Sequence, residues 1–303
     1  MKKIAIYNNK GGVGKSTLAV LLADYFAAGS SASKKQKMKV LVIDLDAQAS
    51  SATTLLGLDA VARARQAGTV LTRYLNGQPG PGLDSYLHLR PKLESPSTRK
   101  LVLHDLWVAC QDRADLLNFE QNNTPERVAD RMDWFIDGLQ EAGFDTVFFD
   151  LPANLDERNL LALATLRLAD HILIPTEPSR ISVNALTDSL NLVYYAGGSM
   201  KEQMMQKKLA GFILNKTDRR TRQYRLHHKE LSELANRHNT LVLKQALPTA
   251  PDLASSSDDS LEFNLLQDRF GKQYSNVCAL ALEVAQRCGY KTRPKQSPKA
   301  GSR

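Results

Sequence analysis

Ten residues near the start of the chain carry the clearest chemistry: Asn8-Asn9-Lys10-Gly11-Gly12-Val13-Gly14-Lys15-Ser16-Thr17. Three glycines in four positions let the backbone curl until successive N–H groups face one point, and a helix starting there adds its positive end. Such a segment holds an anion. Lys15 is spaced to reach the β- and γ-phosphates of a nucleotide, and the Ser16 hydroxyl to ligate Mg²⁺. The bland alternative, a glycine turn between strand and helix, requires neither the lysine nor the hydroxyl. Two carboxylates, Asp44 and Asp46, close the apolar run Val40–Ile43, and a third, Asp150, closes Thr146–Phe149. Acids at the ends of buried strands lie at the edge where α/β sheets bind ligands, although a charged group can also simply end a strand.

The elements that must position these groups are legible as apolar runs separated by helical patterns. Strands are expected near Lys3–Asn8, Val40–Leu45, Leu106–Cys110, Thr146–Asp150, His171–Pro175, Leu209–Leu214 and Leu241–Gln245. Helices are expected near Ser16–Ala28, Glu126–Ala142, Asn159–Leu168, Val183–Tyr195, Thr221–Arg237 and Ser275–Arg287. The alternation predicts an α/β fold: a doubly wound, mostly parallel sheet with helices on both faces. One domain over residues 1–290 is expected. Ser30–Lys39 reads as a polar, basic loop. In Leu58–Arg99, Gly77, Pro79, Gly80, Pro81, Gly82, Pro91 and Pro96 break any long element, so residues 58–99 read as an irregular insertion without an assignable role. Residues 291–303 read as a disordered basic tail.

Composition narrows the classes. A chain of 303 residues with 43% hydrophobic content can build a sizeable core. No apolar run approaches the roughly 20 residues of a membrane span, and Met1-Lys2-Lys3-Ile4 leads into a strand rather than a signal peptide, so a cytoplasmic protein is expected. Cys110, Cys278 and Cys288 form neither a C-x-x-C pair nor a zinc-type cluster, and read as small core residues. The net charge of +8 favours a polyanionic partner.

The standard phosphate loop has a glycine five residues before its lysine; here Asn9 stands there and Lys10 follows. Lys10-Gly11-Gly12-Val13-Gly14-Lys15-Ser16-Thr17 resembles the deviant Walker A motif of the ParA/MinD family of P-loop ATPases. The resemblance implies that Lys10 acts on phosphates held by a partner subunit, as an arginine finger does elsewhere; read alone, it is equally a solvated loop charge. Asp44-Leu45-Asp46-Ala47-Gln48 resembles the family's D-x-D-x-Q motif, which implies that Asp46 positions the attacking water and Asp44 supports the Mg²⁺ shell. Asp150-Leu151-Pro152 resembles its Walker B strand, implying that Asp150 holds Mg²⁺ through a water, while Ala153 replaces the usual second proline. Asn215 matches the family's adenine-reading asparagine, and Pro248 its loop over the base. With Gly11, Gly12, Val13, Gly14, Lys15, Ser16 and Thr17, these residues form the implied ATP site, in which Lys10, Lys15 and Asp46 are the catalytic candidates. The matches run from Lys3 to Pro248.

After Asn215 comes Arg219-Arg220-Thr221-Arg222-Gln223-Tyr224-Arg225, in a helical stretch reaching Arg237. At about 100° per residue, Arg222, Arg225 and Lys229 fall on one arc, opposite Tyr224, Leu231, Leu234 and Ala235, with Leu226 out of pattern. With Arg219 they form a basic ridge suited to DNA phosphates; a solvated charged face is the alternative. His227 and His228 lack acidic or cysteine neighbours suggesting a metal and read as surface residues. Val277, Leu280, Ala281 and Val284 read as core rather than a membrane-surface helix, and the chain begins too near its first strand for a preceding helix-turn-helix.

The resemblance therefore implies an ATP- and Mg²⁺-dependent homodimer with slow hydrolysis that binds non-specific double-stranded DNA. It would associate with the nucleoid, act with a ParB-like partner that stimulates hydrolysis, and partition a plasmid, chromosome or integrated element; the tail without bulky apolar groups, not the resemblance, argues against a membrane contact. Positioning of a protein cargo, or a ligase-like reaction on a small substrate, are the alternatives.

Overall fold

A computed structural model describes residues 1–28, 38–77, 82–90, 106–256, 258 and 266–291. All but the first residue of the expected tail and most of the Ser30–Lys39 loop lie outside the described residues. Seven strands form one sheet in the order β3-β4-β2-β5-β1-β6-β7. They are β1 (Lys2–Ile6), β2 (Val40–Asp44), β3 (His88–Leu89), β4 (Leu106–Ala109), β5 (Thr146–Asp150), β6 (His171–Thr176) and β7 (Leu209–Leu214). Every pairing is parallel except β3 against β4 at the edge.

Successive side chains of a strand point to opposite faces, and here both faces are apolar. Ile4, Ile6, Val40, Val42 and Phe148 pack under α1 (Lys15–Ala27), α2 (Ser50–Leu56) and α3 (Leu58–Ala67). Ala5, Leu41, Ile43, Val147 and Phe149 face the other way, toward residues of α4 (Leu71–Leu75), α5 (Arg113–Gln121), α6 (Pro125–Glu141), α7 (Leu160–Leu168) and α8 (Arg180–Ala196). That second layer also takes in α9 (Glu202–Lys208) through Met205 and α10 (Arg222–Arg237) through Leu231, Leu234 and Ala235. The chain closes with α11 (Pro251–Ser255), α12 (Leu266–Phe270) and α13 (Tyr274–Arg287), whose buried residues join the α1 side. The fold is the α/β P-loop NTPase type expected. Among the described residues no helix is long and apolar enough to cross a membrane.

Three expectations need correction. Leu241–Gln245 is not a strand: Leu243 N–H bonds Phe212 O at 2.9 Å, but the next two N–H groups, of Lys244 and Gln245, are taken by the Glu283 carboxylate at 2.8 and 2.9 Å. Only an isolated bridge, Phe212 with Val242, survives of the ladder. The segment from Leu58 is not irregular in its described part, which contains α3, α4, a 3₁₀ turn at Leu83–Tyr86 and the edge strand β3. Helices of ten and five residues fit between the breakers because Gly57 and Gly68 end and restart the chain at positive φ. Finally, His227 is buried with Nδ1 2.7 Å from Glu230 Oε2, one helical turn away, and is not a surface residue. Cys110 and Cys288 are buried as expected, whereas Cys278 is half-buried.

Candidate functional site

Parallel pairing aligns the ends of three strands. Ile6 lies opposite Asp150, and Asp150 opposite Asp44, so the loop leaving β1 passes directly over two acids. Above them opens a cavity of about 640 Å³, lined by Gly11, Gly12, Gly14, Lys15, Ser16, Thr17, Asp46, Asn215 and Pro248, with Gln48, Lys216 and Thr249 among their neighbours. Of the other residues singled out, Val13, Asp44 and Asp150 are fully buried and do not line the cavity, and Lys10 turns elsewhere.

The loop holds its shape through backbone torsion and two tethers. Gly14 has φ +90°, and α1 starts at the next residue, so the first N–H groups of the helix point into the curl. The Asn215 amide donates to Val13 O at 2.8 Å, and Lys216 Nζ to Gly12 O at 2.6 Å. A Cβ on Gly14 would sit 2.1 Å from Asn215 Nδ2. Gly14→Ala is therefore expected to cost about 1–3 kcal/mol, read as a lower urea midpoint at constant slope. Adding Asn215→Ala should recover only part, since the torsional strain stays; a midpoint unchanged in the single variant would show that the loop relaxes freely.

Lys15 is buried, and Nζ makes a 3.3 Å bond to Lys10 O. Burial lowers its proton affinity, while Asp150 and Asp46 oppose that, keeping a cation under the loop. Asp44 is saturated: Ser51 Oγ and Ala52 N–H reach Oδ2 at 2.7 and 2.8 Å, and Asp46 N–H reaches Oδ1 at 3.0 Å. Asp150 is different. Both its oxygens are fully buried without a formed hydrogen bond, the Ser16 and Ser51 hydroxyls lying near enough only to ease it. Burial and the Asp44 charge push its carboxyl well above the usual range. A buried carboxylate without a donor beside a second acid requires a positive charge or a proton, and it sits under the Ser16 hydroxyl that would share a cation. The donor set thus fits a hard divalent cation with phosphate oxygens above it.

Asp46 stands apart, half-buried at the cavity wall, with Oδ1 accepting Gln48 N–H at 2.9 Å. Lys10 is drawn away from the cavity. Its Nζ donates to Glu177 Oε2 at 3.0 Å and Ser182 Oγ at 2.9 Å, while Glu177 Oε1 takes Lys216 Nζ at 3.1 Å. Burial would raise the Glu177 carboxyl, but hydrogen bonds and charge from both lysines win and lower it. Glu177 was missed in the sequence although it follows β6 as Asp46 follows β2. Arg65 of α3 carried no such signal; its guanidinium binds Ala47 O at 2.9 Å and Gln111 O at 3.0 Å, clamping the loop that carries Asp46.

On α10, Thr221 caps the first turn and Arg222, Arg225 and Lys229 are exposed on the outer side. Arg219 is exposed too but donates to Lys244 O at 3.0 Å, and Lys229 lies 3.9 Å from Glu233.

A family model described as an AAA domain, AAA_31, matches residues 1–206. No curated protein matches the sequence. Solved structures do. Cyanothece McdA in its ATP complex superposes with a TM-score of 0.67 at 17% identity, covering 97% of this chain and 99% of that one. pNOB8 ParA bound to nonspecific DNA gives 0.63 at 18% over 94% and 98%. Cobyrinic acid a,c-diamide synthase from Mycobacterium smegmatis, with bound ADP and magnesium, gives 0.65 at 18% over 98% and 100%.

Proposed function

Because the chain belongs to the AAA_31 family and has the P-loop fold of the ParA/MinD type, we propose that it is an ATP-dependent dimerising switch that partitions DNA. In its ATP state it holds non-specific double-stranded DNA, and slow hydrolysis releases that hold. The observation that carries the reading is a second lysine, Lys10, in a phosphate loop above the unpartnered Asp150 carboxylate.

Gly11 to Thr17 bind the triphosphate through backbone N–H groups and Lys15, which neutralises charge between the β- and γ-phosphates. Ser16 and Asp150, with Asp44 behind them, would hold Mg²⁺, which would supply further neutralisation of phosphate charge. Asp46 orients and deprotonates the attacking water. Asn215 and Pro248 contact the base; Asn215 keeps one amide hydrogen after its bond to Val13 O. Lys10 acts on the phosphates of the partner subunit, which first requires it to leave Glu177 and Ser182. A triphosphate arriving at the loop competes with Glu177 for both Lys10 and Lys216, so nucleotide binding and dimerisation are linked. Arg219, Arg222, Arg225 and Lys229 from two chains then form one basic surface, and a ParB-like partner accelerates hydrolysis. The domain, residues 1–290, acts as one unit in the cytoplasm at the nucleoid.

Binding to unrelated double-stranded DNA tests this with ATP, with ADP and without nucleotide, at two salt concentrations. Tight, salt-sensitive binding is expected only with ATP and not in Lys15→Gln. Arg222→Ala with Arg225→Ala should weaken it on every sequence and lower the salt slope by about 2, since each arginine neutralises roughly one phosphate. DNA binding indifferent to nucleotide sinks the switch. The likeness to the diamide synthase favours one further reading, an ATP-consuming ligase on a small carboxylic acid; turnover that depends on such an acid and ammonia, and not on DNA or protein, would establish it instead. Positioning of a protein cargo remains compatible with ATP-gated DNA binding and is separated from DNA partitioning by which molecule co-purifies with the ATP-bound chain.

A further inference from the structure

The outer face of α6 has no part in the nucleotide site. At about 100° per residue, Asp130, Trp134, Asp137 and Glu141 share an arc of about 60°, and all four are exposed. Trp134 is 50% exposed, an unusual state for the largest apolar side chain. It is nonetheless ordered: its ring stacks on Tyr74 of α4 at 4.7 Å and 11°, and Tyr74 is braced edge-on by Phe135 at 5.8 Å. Beside the stack lies a cavity of about 390 Å³, walled by Leu83 and by the carboxylates of Asp84, Asp137 and Glu141.

Those three carboxylates belong to no ion pair among the described residues, in a chain whose net charge is +8. Two basic side chains of neighbouring segments bond backbone carbonyls and form no ion pair with these acids among the described residues. Lys39 Nζ donates to Ala142 O at 2.8 Å and sits 4.3 Å from the Phe144 ring centre, and the Arg131 guanidinium donates to Leu75 O. Arg127 lies about two turns toward the start of the helix from Trp134. An aromatic floor with unneutralised acids around it attracts a cation over the ring face and repels a phosphate backbone.

We propose that the face formed by α6, α4 and the Leu83–Tyr86 turn docks a basic peptide segment of another protein, with a lysine or arginine seated over the Trp134–Tyr74 stack between Asp84, Asp137 and Glu141. The pocket adjoins the end of α6, where the chain turns into the start of β5, whereas the nucleotide site lies beyond the far end of that strand. Docking therefore does not rest on the ATP-switch reading, and either can fail alone.

Of the two tryptophans in the chain, Trp134 is the exposed one, so its fluorescence reports occupancy. The full chain is titrated with a short arginine-rich peptide and with a glutamate-rich peptide of equal length. A saturable change with the basic peptide alone is expected, lost in Trp134→Phe and weakened by salt. Asp137→Asn with Glu141→Gln should weaken binding about tenfold, by calorimetry as well as fluorescence, with circular dichroism and ATP affinity unchanged. Equal affinity in that double variant, or equal binding of the acidic peptide, overturns the proposal. So does a Trp134 change that follows protein concentration without peptide, since the occupant is then a second copy.

Discussion

Asp46→Asn should lower ATP hydrolysis by about 100-fold or more while leaving nucleotide affinity unchanged or tighter. Of the three acids at the strand ends, Asp46 alone opens onto the cavity; Asp44 has its oxygens occupied by Ser51, Ala52 and Asp46 donors, and Asp150 is fully buried. Under the proposed function, Asp46 is therefore the one of the three assigned to the attacking water. Asparagine keeps the shape and still accepts the Gln48 N–H, so the loop clamped by Arg65 at Ala47 should not move. What disappears is a negative charge, and that loss favours binding of an anion even as it removes the base. Single-turnover hydrolysis and titration with a fluorescent ATP analogue separate the two effects. Normal turnover in the variant would show that another group activates the water. A parallel loss of affinity would make Asp46 a structural residue.

The parts of this molecule readable from sequence are those set by local pattern. Apolar runs of four to six residues between helical stretches gave six of the seven strands, because a strand buried on both faces must be apolar throughout. The phosphate loop was legible because its geometry needs glycine at Gly14, where φ is +90°. Pairings between distant segments were not. Leu241–Gln245 has strand composition, yet Glu283, some 40 positions later, takes the N–H groups its ladder would need. His88–Leu89 is a strand of two residues whose pattern carries no period, existing because β4 presents an open edge. Lys10 could be seen as unusual, but not that Glu177 and Ser182 hold it, since those hydrogen bonds span 167 and 172 positions. Burial of His227 was legible in the helical period: at about 100° per residue it falls between Leu234 and Leu231, on the face of α10 that packs against the core.

The largest effect on stability is expected at a position with no chemistry to perform. Asp24, in the third turn of α1, is fully buried and bridges two buried arginines: Oδ1 accepts from Arg90 at the end of β3, and Oδ2 from Arg269 of α12 at 2.9 Å. The two bonds close separations of 66 and 245 residues, so one carboxylate fastens the sheet edge and the C-terminal helices to the helix that begins at the phosphate loop. Asp24→Asn keeps the volume but removes the buried negative charge that Arg90 and Arg269 share. Breaking a buried pair in this way costs about 3–5 kcal/mol, a large share of the 5–15 kcal/mol that typically holds a domain together. Urea unfolding should show that loss, and added salt should not restore it, because screening does not reach a buried site. Desolvation already weakens the hold of Arg269 on its proton, with Asp24 opposing and Arg90 adding to the effect, so losing Asp24 removes the favourable member of the set. Replacing all three residues by apolar ones of similar size should recover most of the loss, since charge burial and not volume is the source of the cost. A single-variant loss below about 1 kcal/mol would mean that water or other groups neutralise the arginines and that the cluster does not fasten these segments.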